Sequence, residues 1–272
     1  MKRALILAAG KGKRLGDLTK DKPKCLLNVS QDKTILDYSL DAISGTGIKE
    51  IIIVSGFASD ILKEHITKKW ASKFVFKIIY NPKFSEYNNI YSAYLARNEW
   101  NDETVLFNSD IIFDPSILHV IARSAATKQS QTLIDGDCHA SFRSARNDIE
   151  KRSFLVIDNT KDLIEEDMKV LVDENRTIKR IHKSLDCKKS FGEYIGIMYL
   201  RGKEREKFLE SLELNVKNKN LDLYYEDALE QILESISIYP CSTEGKEWTE
   251  VDTKEDLEKA KIIANKLQAL AI

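Results

Sequence analysis

The chain has 272 residues, 43% hydrophobic and 31% charged, close to globular averages, which excludes a disordered, collagen-like or coiled-coil chain. Its 42 Lys and Arg against 43 Asp and Glu leave a formal net charge of -1. No global basic field draws it to nucleic acid or an anionic membrane, so an anionic ligand must be held by local cations. No stretch approaches the ~20 apolar residues of a membrane span, and no leader-like apolar segment follows Met1. A cytoplasmic protein is expected, with neither nucleic acid nor membrane as a partner.

Arg3 to Ala8 is a continuous apolar run bounded by Gly10, as expected of a strand buried on both faces. Ile35 to Ser44 places Leu36, Leu40 and Ile43 on one helical face and stops at Gly45 and Gly47. Glu50 to Ser55 reads as a second buried strand. Ser59 caps a helix presenting Leu62, Ile66 and Trp70, and Phe74 to Tyr80 is a third strand. Asn89 to Trp100 reads as helix, Thr104 to Asn108 as a fourth strand ending at Ser109 and Asp110, and Asp114-Pro115 opens a helix through Ala126. This alternation predicts an α/β fold, a Rossmann-like mostly parallel sheet flanked by helices. Further on, strand-like runs at Thr132–Ile134, Phe154–Ile157, Met168–Val172 and Tyr194–Leu200 lie closer together, with a turn at Asp173 to Asn175. They predict a small antiparallel addition. Tyr225 to Ser235 reads as helix, Trp248 to Asp252 as a short strand, and Thr253 to Leu270 as a helix capped by Thr253 with Asp256 three residues on.

Cys25, Cys138, Cys187 and Cys241, like His65, His119, His139 and His182, are scattered without metal-ligand spacing, so free thiols are expected rather than a zinc site. The informative segment is Leu7-Ala-Ala-Gly-Lys-Gly-Lys-Arg-Leu-Gly16, followed by Asp21-Lys-Pro-Lys-Cys-Leu-Leu27. A glycine loop after a buried first strand lets backbone N–H groups approach a phosphate. Lys11, Lys13, Arg14, Lys22 and Lys24 in one loop would repel one another without a bound anion. The dinucleotide fingerprint fails because Leu15 stands where it needs glycine, and the Walker pattern fails because no G-K-[ST] follows.

These residues, together with Pro23-Lys24-x-Leu-Leu, resemble the signature of the sugar-phosphate nucleotidyltransferase superfamily. The likeness continues through Asn88-Asn89-Ile-Tyr-Ser92, Ser109-Asp110, Glu166-Asp-Met-Lys-Val170, Gly192-Glu-Tyr-Ile-Gly196, Tyr225-Glu-Asp227 and Trp248-x-Glu250-Val-Asp252. It runs toward the branch of CTP:phosphocholine and CTP:phosphonate cytidylyltransferases. The resemblance implies a nucleotide-diphospho-sugar transferase type of fold. It also implies one domain over 1–272, with a nucleotide half at about 1–130, an acceptor half at about 131–252 and a closing helix at 253–272. The implied reaction transfers CMP from CTP to a phosphorylated small alcohol or a phosphonate, releasing pyrophosphate.

On that resemblance Arg14 holds the β- and γ-phosphates and Lys24 bridges the α-phosphate and the attacking group, with Lys13 as a weaker phosphate contact. Asp110 and Asp252, each at a strand end where an open α/β sheet binds ligands, would share one Mg²⁺; an aspartate there also reads as a helix cap. Nucleotide contacts are expected from Ala8, Ala9, Gly10, Gly12, Ser55, Gly56, Asn88, Asn89, Ser92 and Ser109, although two asparagines opening a helix also read as its N-cap. The acceptor side is expected to use Lys169 and Lys183 for phosphate, and Glu193, Tyr194, Tyr225, Glu226, Asp227 and Glu250, with Tyr224 and Trp248, for a cationic far end. The aromatics read equally as core. Between Thr132 and Phe154 the chain departs from the family, with Arg143, Arg146 and Arg152 opening the alternative of an acidic acceptor. Asp135-Gly-Asp137 resembles a glycosyltransferase metal motif and is read as a pair of loop acids. A sugar-1-phosphate enzyme using UTP or dTTP, or a noncatalytic nucleotide sensor, are the alternatives. A homodimer is compatible with the sequence.

Overall fold

The computed structural model of the chain describes residues 2–119 and 152–270. Among them β1 (Arg3–Ala8), β2 (Glu50–Ser55), β3 (Val75–Tyr80) and β4 (Thr104–Asn108) are parallel, in the spatial order β3-β2-β1-β4. Next to β4 lies β9 (Gly192–Tyr199), antiparallel both to β4 and to β6 (Ser153–Asp158). β10 (Ile238–Ser242) closes that edge, parallel to β6. A hairpin of β7 (Lys169–Val172) and β8 (Ile178–His182) adds to β9, and β5 (Ile111–Phe113) pairs with β11 (Trp248–Glu250) as a separate antiparallel ribbon. The mostly parallel sheet and its antiparallel addition are therefore as the sequence predicts.

Period-two alternation explains the two cores. Ala4, Ile6 and Ala8 of β1 face one side with Ile51, Ile53 and Phe107, and pack under α1 (Ile35–Ser44) and α2 (Ser59–Trp70). Leu5 and Leu7 face the other side with Ile52, Val54 and Leu106. There they meet α3 (Asn89–Leu95), α4 (Gly202–Lys217) and α5 (Tyr225–Glu230) through Ile90, Phe208, Tyr225 and Leu229. A third cluster joins Leu15 of the glycine loop to Ile35, Ile112, Val251 and the inner face of α6 (Lys254–Leu270) at Leu257, Ala260 and Ala264.

Several elements differ from the sequence reading. Ser59 is the first residue of α2 rather than its cap; Ala58 caps it in the left-handed region, and Ser59 Oγ lies 2.8 Å from Ser55 Oγ. The helix from Asn89 stops at Leu95 before a short 3-10 turn, and that from Tyr225 breaks after Glu230. Asp114 caps only a 3-10 turn, Pro115–Leu118, within the described residues, and the run at Thr132–Ile134 lies outside them. The last short strand ends at Glu250 and pairs with β5 rather than the main sheet. α4, β5, β8 and β10 are not predicted.

Asp37 anchors α1 to α2. It forms a capping box with Thr34, and its fully buried carboxylate accepts from Trp70 Nε1 at 2.6 Å and Lys69 Nζ at 2.9 Å, with His65 Nε2 at 2.8 Å. Burial alone would raise its pKa; these donors hold it well below the usual carboxylate range. Asp37→Ala is expected to cost about 3 kcal/mol, because it strands the buried Trp70 Nε1 and Thr34 N and unpairs the partly exposed Lys69 and His65; urea denaturation measures it, and a change under 1 kcal/mol would contradict the anchoring role.

Candidate active site

The sheet order places β2 on one side of β1 and β4 on the other, so the loops after β1 and β4 part above the carboxyl ends of the strands, where open α/β sheets bind ligands. A cleft of about 320 Å³ lies there. Its walls include Ala8, Ala9, Gly10, Gly12 and Arg14 from the glycine loop, Lys24 and Cys25 from the next turn, and Ser109 and Asp110 from the end of β4.

Local chemistry explains each placement. Gly12 has φ +66°, and a Cβ there would stand 3.0 Å from Lys24 Cβ, so glycine provides both the left-handed turn and room for the lysine stem. Leu15, fully buried, pins the loop to α6 and α1. Across the cleft the β5–β11 ribbon brings the acids together: Glu250 pairs with Ile111, and Val251 N donates to Asp110 O at 2.9 Å. Alternation turns Val251 into the third core and leaves Glu250 and Asp252 on the same side of the chain. Asp110, Glu250 and Asp252 each offer a carboxylate oxygen within 4.8 Å of the others.

Two cations are threaded through this acidic group. Lys24 Nζ lies 2.6 Å from Asp110 Oδ2 and 2.8 Å from Asp252 Oδ1, and Arg14 Nη2 lies 2.6 Å from Asp252 Oδ2. Burial works to lower the Lys24 pKa, but Asp110, Asp252 and Glu250 outweigh it and hold the ammonium above its ordinary value. Desolvation opposes ionisation of Asp252, and Lys24 and Arg14 overcome it, so its pKa falls. Glu250 has no cation within ion-pair distance among the described residues; desolvation first, then Asp110 and Asp252, raise its pKa well above normal. Burial pushes the Cys25 thiol up to about 12, which leaves it an inert wall atom. Capping falls to a different acid: Asp256 Oδ2 accepts from Thr253 N at 3.0 Å, so Asp252 is left to the cleft.

The other expected residues divide. Asn88, Asn89, Ser92, Lys183, Tyr194 and Glu226 line the cleft. Asn88 is also the N-cap of α3, and its amide donates to Asp222 O at 3.1 Å, while Asn89 Oδ1 accepts from Tyr225 N at 2.9 Å. Asn88 thus ties α3 to the segment before α5, and Asn89 ties it to the first residue of α5. Lys13 is exposed outside the cleft. Ser55 is buried, and Gly56 serves close packing, since a Cβ there would lie 2.6 Å from Phe84 Cβ and 2.7 Å from Ala9 O. Lys169 is wholly buried, donating to the carbonyls of Ile164, Glu165 and Asp167, so it does not reach an acceptor. Glu193 is buried against Lys161 at 2.5 Å, with burial raising its pKa to about 7. Tyr225 is core, its hydroxyl meeting Tyr194 and donating to Asn108, and Asp227 caps α5 by accepting from Tyr224 N. Trp248 donates to Asp158 Oδ2 at 2.7 Å beneath Lys161. Asp135, Asp137, Arg143 and Arg146 lie outside the described residues. Cleft residues the sequence reading missed include Asn81, Phe84, Tyr87, Asn108, Glu166 and Met168.

Glu226 carries a pH signature. Burial raises its pKa from 4.5 to about 7, with Asp227 adding to the shift and Tyr225 and Asn89 opposing it. A carboxyl raised in the folded state adds stability below its unfolded pKa, and that stability is lost as pH rises through the folded value. The thermal midpoint is expected to fall between pH 5 and pH 8, less so in Glu226→Gln; parallel pH curves for the two proteins in differential scanning fluorimetry would refute this.

Residues 3–139 match the family model described as nucleotidyl transferase. Choline-phosphate cytidylyltransferase of Streptococcus pneumoniae is 24% identical over 260 residues, covering 94% of this chain and 96% of that protein. CTP:phosphoglutamine cytidylyltransferase of Campylobacter jejuni is 26% identical over 269 residues, covering 94% and 97%. The solved structure of CTP:phosphocholine cytidylyltransferase from S. pneumoniae superposes with TM-score 0.72 at 21% identity, over 97% of this chain and 100% of that one, and shares the fold. The glycine loop, the cations bound to facing carboxylates and the matched family model lead to one conclusion: the chain belongs to the nucleotidyl transferase family.

Proposed function

We propose that the chain is a Mg²⁺-dependent cytidylyltransferase, which moves CMP from CTP to a phosphorylated small alcohol or a phosphonate and releases pyrophosphate. The observation that carries the reading is the Arg14–Asp252–Lys24–Asp110 network at the sheet's switch point. Cations for a triphosphate and acids for a metal already stand together there. The carboxylates suit the metal: all are hard oxygen donors, and Asp110 Oδ1 is buried without a hydrogen-bond partner. Asp110 and Asp252 would hold it, with Glu250 beside them. What a bound Mg²⁺ supplies is charge neutralisation and orientation of the triphosphate.

The chain's own residues do the rest. An acceptor phosphate or phosphonate oxygen, already ionised at neutral pH, forms a bond to the α-phosphorus while the bond to the bridging oxygen breaks and pyrophosphate leaves. No protein base is required. Catalysis is then alignment and charge stabilisation. Lys24, always protonated, faces the pentavalent centre from the cleft floor. Arg14, exposed at the mouth, exchanges Asp252 for the β- and γ-phosphates. The one continuous sheet that carries both halves suits a reading of the chain as one catalytic unit.

A pyrophosphate-release assay with CTP, UTP and dTTP, each against phosphorylated alcohols, phosphonates and sugar 1-phosphates, tests the reading. CTP is expected to lead by at least tenfold. Preference for UTP or dTTP with a sugar 1-phosphate would overturn it in favour of the sugar enzymes; nucleotide binding without turnover would favour a sensor.

A further inference from the structure

The second half of the chain lines the cleft with Glu166, Met168, Lys183, Tyr194, Tyr224, Glu226 and Glu250, and we take this as the acceptor side. Its charge is lopsided. Lys183 stands for a phosphate against Glu166 and Glu226, before Glu250 is assigned to the metal side.

Glu226 differs from its neighbour Asp227. Asp227 has structural work, accepting from Tyr224 N at 2.7 Å and facing His182 at 3.7 Å. Glu226 is 4% exposed, borders the cleft, and its Oε2 is covered without any hydrogen-bond partner. A buried carboxylate oxygen without a donor is costly unless something supplies one.

The aromatics meanwhile are committed elsewhere. A quaternary ammonium has no N–H and is recognised through the faces of aromatic rings. Lys183 Nζ already lies 5.8 Å from the centroid of the Tyr224 ring. The Trp248 ring is faced by Lys161 Nζ at 5.4 Å, and Trp248 does not border the cleft. The hydroxyl of Tyr194 is held 3.0 Å from that of Tyr225 in the core. Of the other cleft aromatics, Phe84 packs on Phe57, and the Tyr87 ring meets Tyr91 and Lys83. The described residues thus offer one carboxylate oxygen without a donor, beside aromatics that already have neighbours.

We infer that the acceptor ends in a protonated amine carrying N–H donors, bound by the Glu226 carboxylate, rather than in a quaternary ammonium. This rests on the cytidylyltransferase reading above. An ammonium fits better than a hydroxyl because it gives Oε2 a donor and its charge favours the ionised form of a carboxyl that burial disfavours. Lys183 then takes the phosphate or phosphonate end, and the substrate bridges the two.

The test compares phosphoethanolamine, its N,N-dimethyl derivative and phosphocholine, with 2-aminoethylphosphonate and glycerol 3-phosphate alongside, using CTP and Mg²⁺. The first three share a charge and differ in N–H count. The expected order of kcat/KM follows that count, with phosphoethanolamine at least tenfold above phosphocholine. In Glu226→Gln, with its fold checked by circular dichroism, the phosphoethanolamine advantage is expected to fall at least tenfold through the acceptor KM, with the KM for CTP unchanged. Equal or better use of phosphocholine or glycerol 3-phosphate, or an intact preference in Glu226→Gln, overturns the inference and leaves the cytidylyltransferase reading standing. No pyrophosphate from CTP with any acceptor overturns both.

Discussion

Asp110→Ala is expected to lower pyrophosphate release by at least about 10³-fold, the several kcal/mol that a metal contributes to transition-state charge stabilisation. Its stability should hold. Asp110 is one of three carboxylates held within 4.8 Å, and it contributes to the raised pKa of Glu250. Removing it without metal relieves that repulsion but also takes away one of the two carboxylate partners of Lys24, which keeps Asp252 at 2.8 Å, and the backbone carbonyl that accepts from Val251 N is untouched by the substitution. Relief and loss oppose each other, so the thermal midpoint in EDTA is expected to hold, while the rise on adding Mg²⁺ shrinks. Scanning fluorimetry and the pyrophosphate assay read the two effects separately. Wild-type turnover at saturating Mg²⁺ would remove Asp110 from the metal site.

Lys24→Met should lower both activity and stability. Turnover is expected to fall about 10²- to 10³-fold, as for a lost preorganised donor at a developing charge, with the KM for CTP changed only a few-fold because Arg14 remains. Stability should fall as well. Lys24 is 12% exposed and pairs with both Asp110 and Asp252. Losing the cation of such a buried cluster costs about 3 kcal/mol, at the low end because the aspartates keep about one-fifth exposure. Mg²⁺ should restore more of the midpoint in this variant than in wild type, since the cation replaces the missing ammonium. An unchanged kcat would refute the bridging role, and an unchanged midpoint in EDTA would refute the electrostatic one.

The two variants share a cleft and differ in their effect on stability because Asp110→Ala leaves Lys24 paired with Asp252, whereas Lys24→Met leaves two aspartates without their shared cation. That contrast separates a ligand-binding role from general damage to the fold, which would lower both midpoints.

The first half of the chain was legible because its strands are buried on both faces, and β1, β2 and β4 follow the bounds expected from their continuous apolar runs. Apart from the three-residue β5, which is buried throughout but very short, elements were missed where burial is one-sided or thin. α4 buries only Phe208, Ser211, Leu212 and Asn215 along sixteen residues, so its apolar stripe is faint. β8 alternates around Lys179 and Arg180, and β10 holds Pro240, which an edge strand tolerates but which argues against a strand in sequence. In the site, Arg14, Lys24, Asp110 and Asp252 were legible because their motifs are local. Glu250 was assigned to the acceptor, although its spacing of two from Asp252 already put both on one face of a strand. Lys169 shows the converse: a lysine in a familiar position whose ammonium is fully used by three carbonyls, a fact that only tertiary structure supplies. The aromatics expected around a cation were instead spent on core packing and on neighbouring lysines.

The union of Arg14 with Asp252 joins residues 238 positions apart, and the third core fastens that joint through Leu15, Val251 and α6. During synthesis the glycine loop emerges first and Asp252 follows 238 residues later, so a growing chain carries the cations of the loop long before their partner. The two sides of the cleft therefore meet only when the β5–β11 ribbon and α6 have docked on the glycine loop. Closure of the cleft is thus a late, long-range event of folding, set by the packing of one helix.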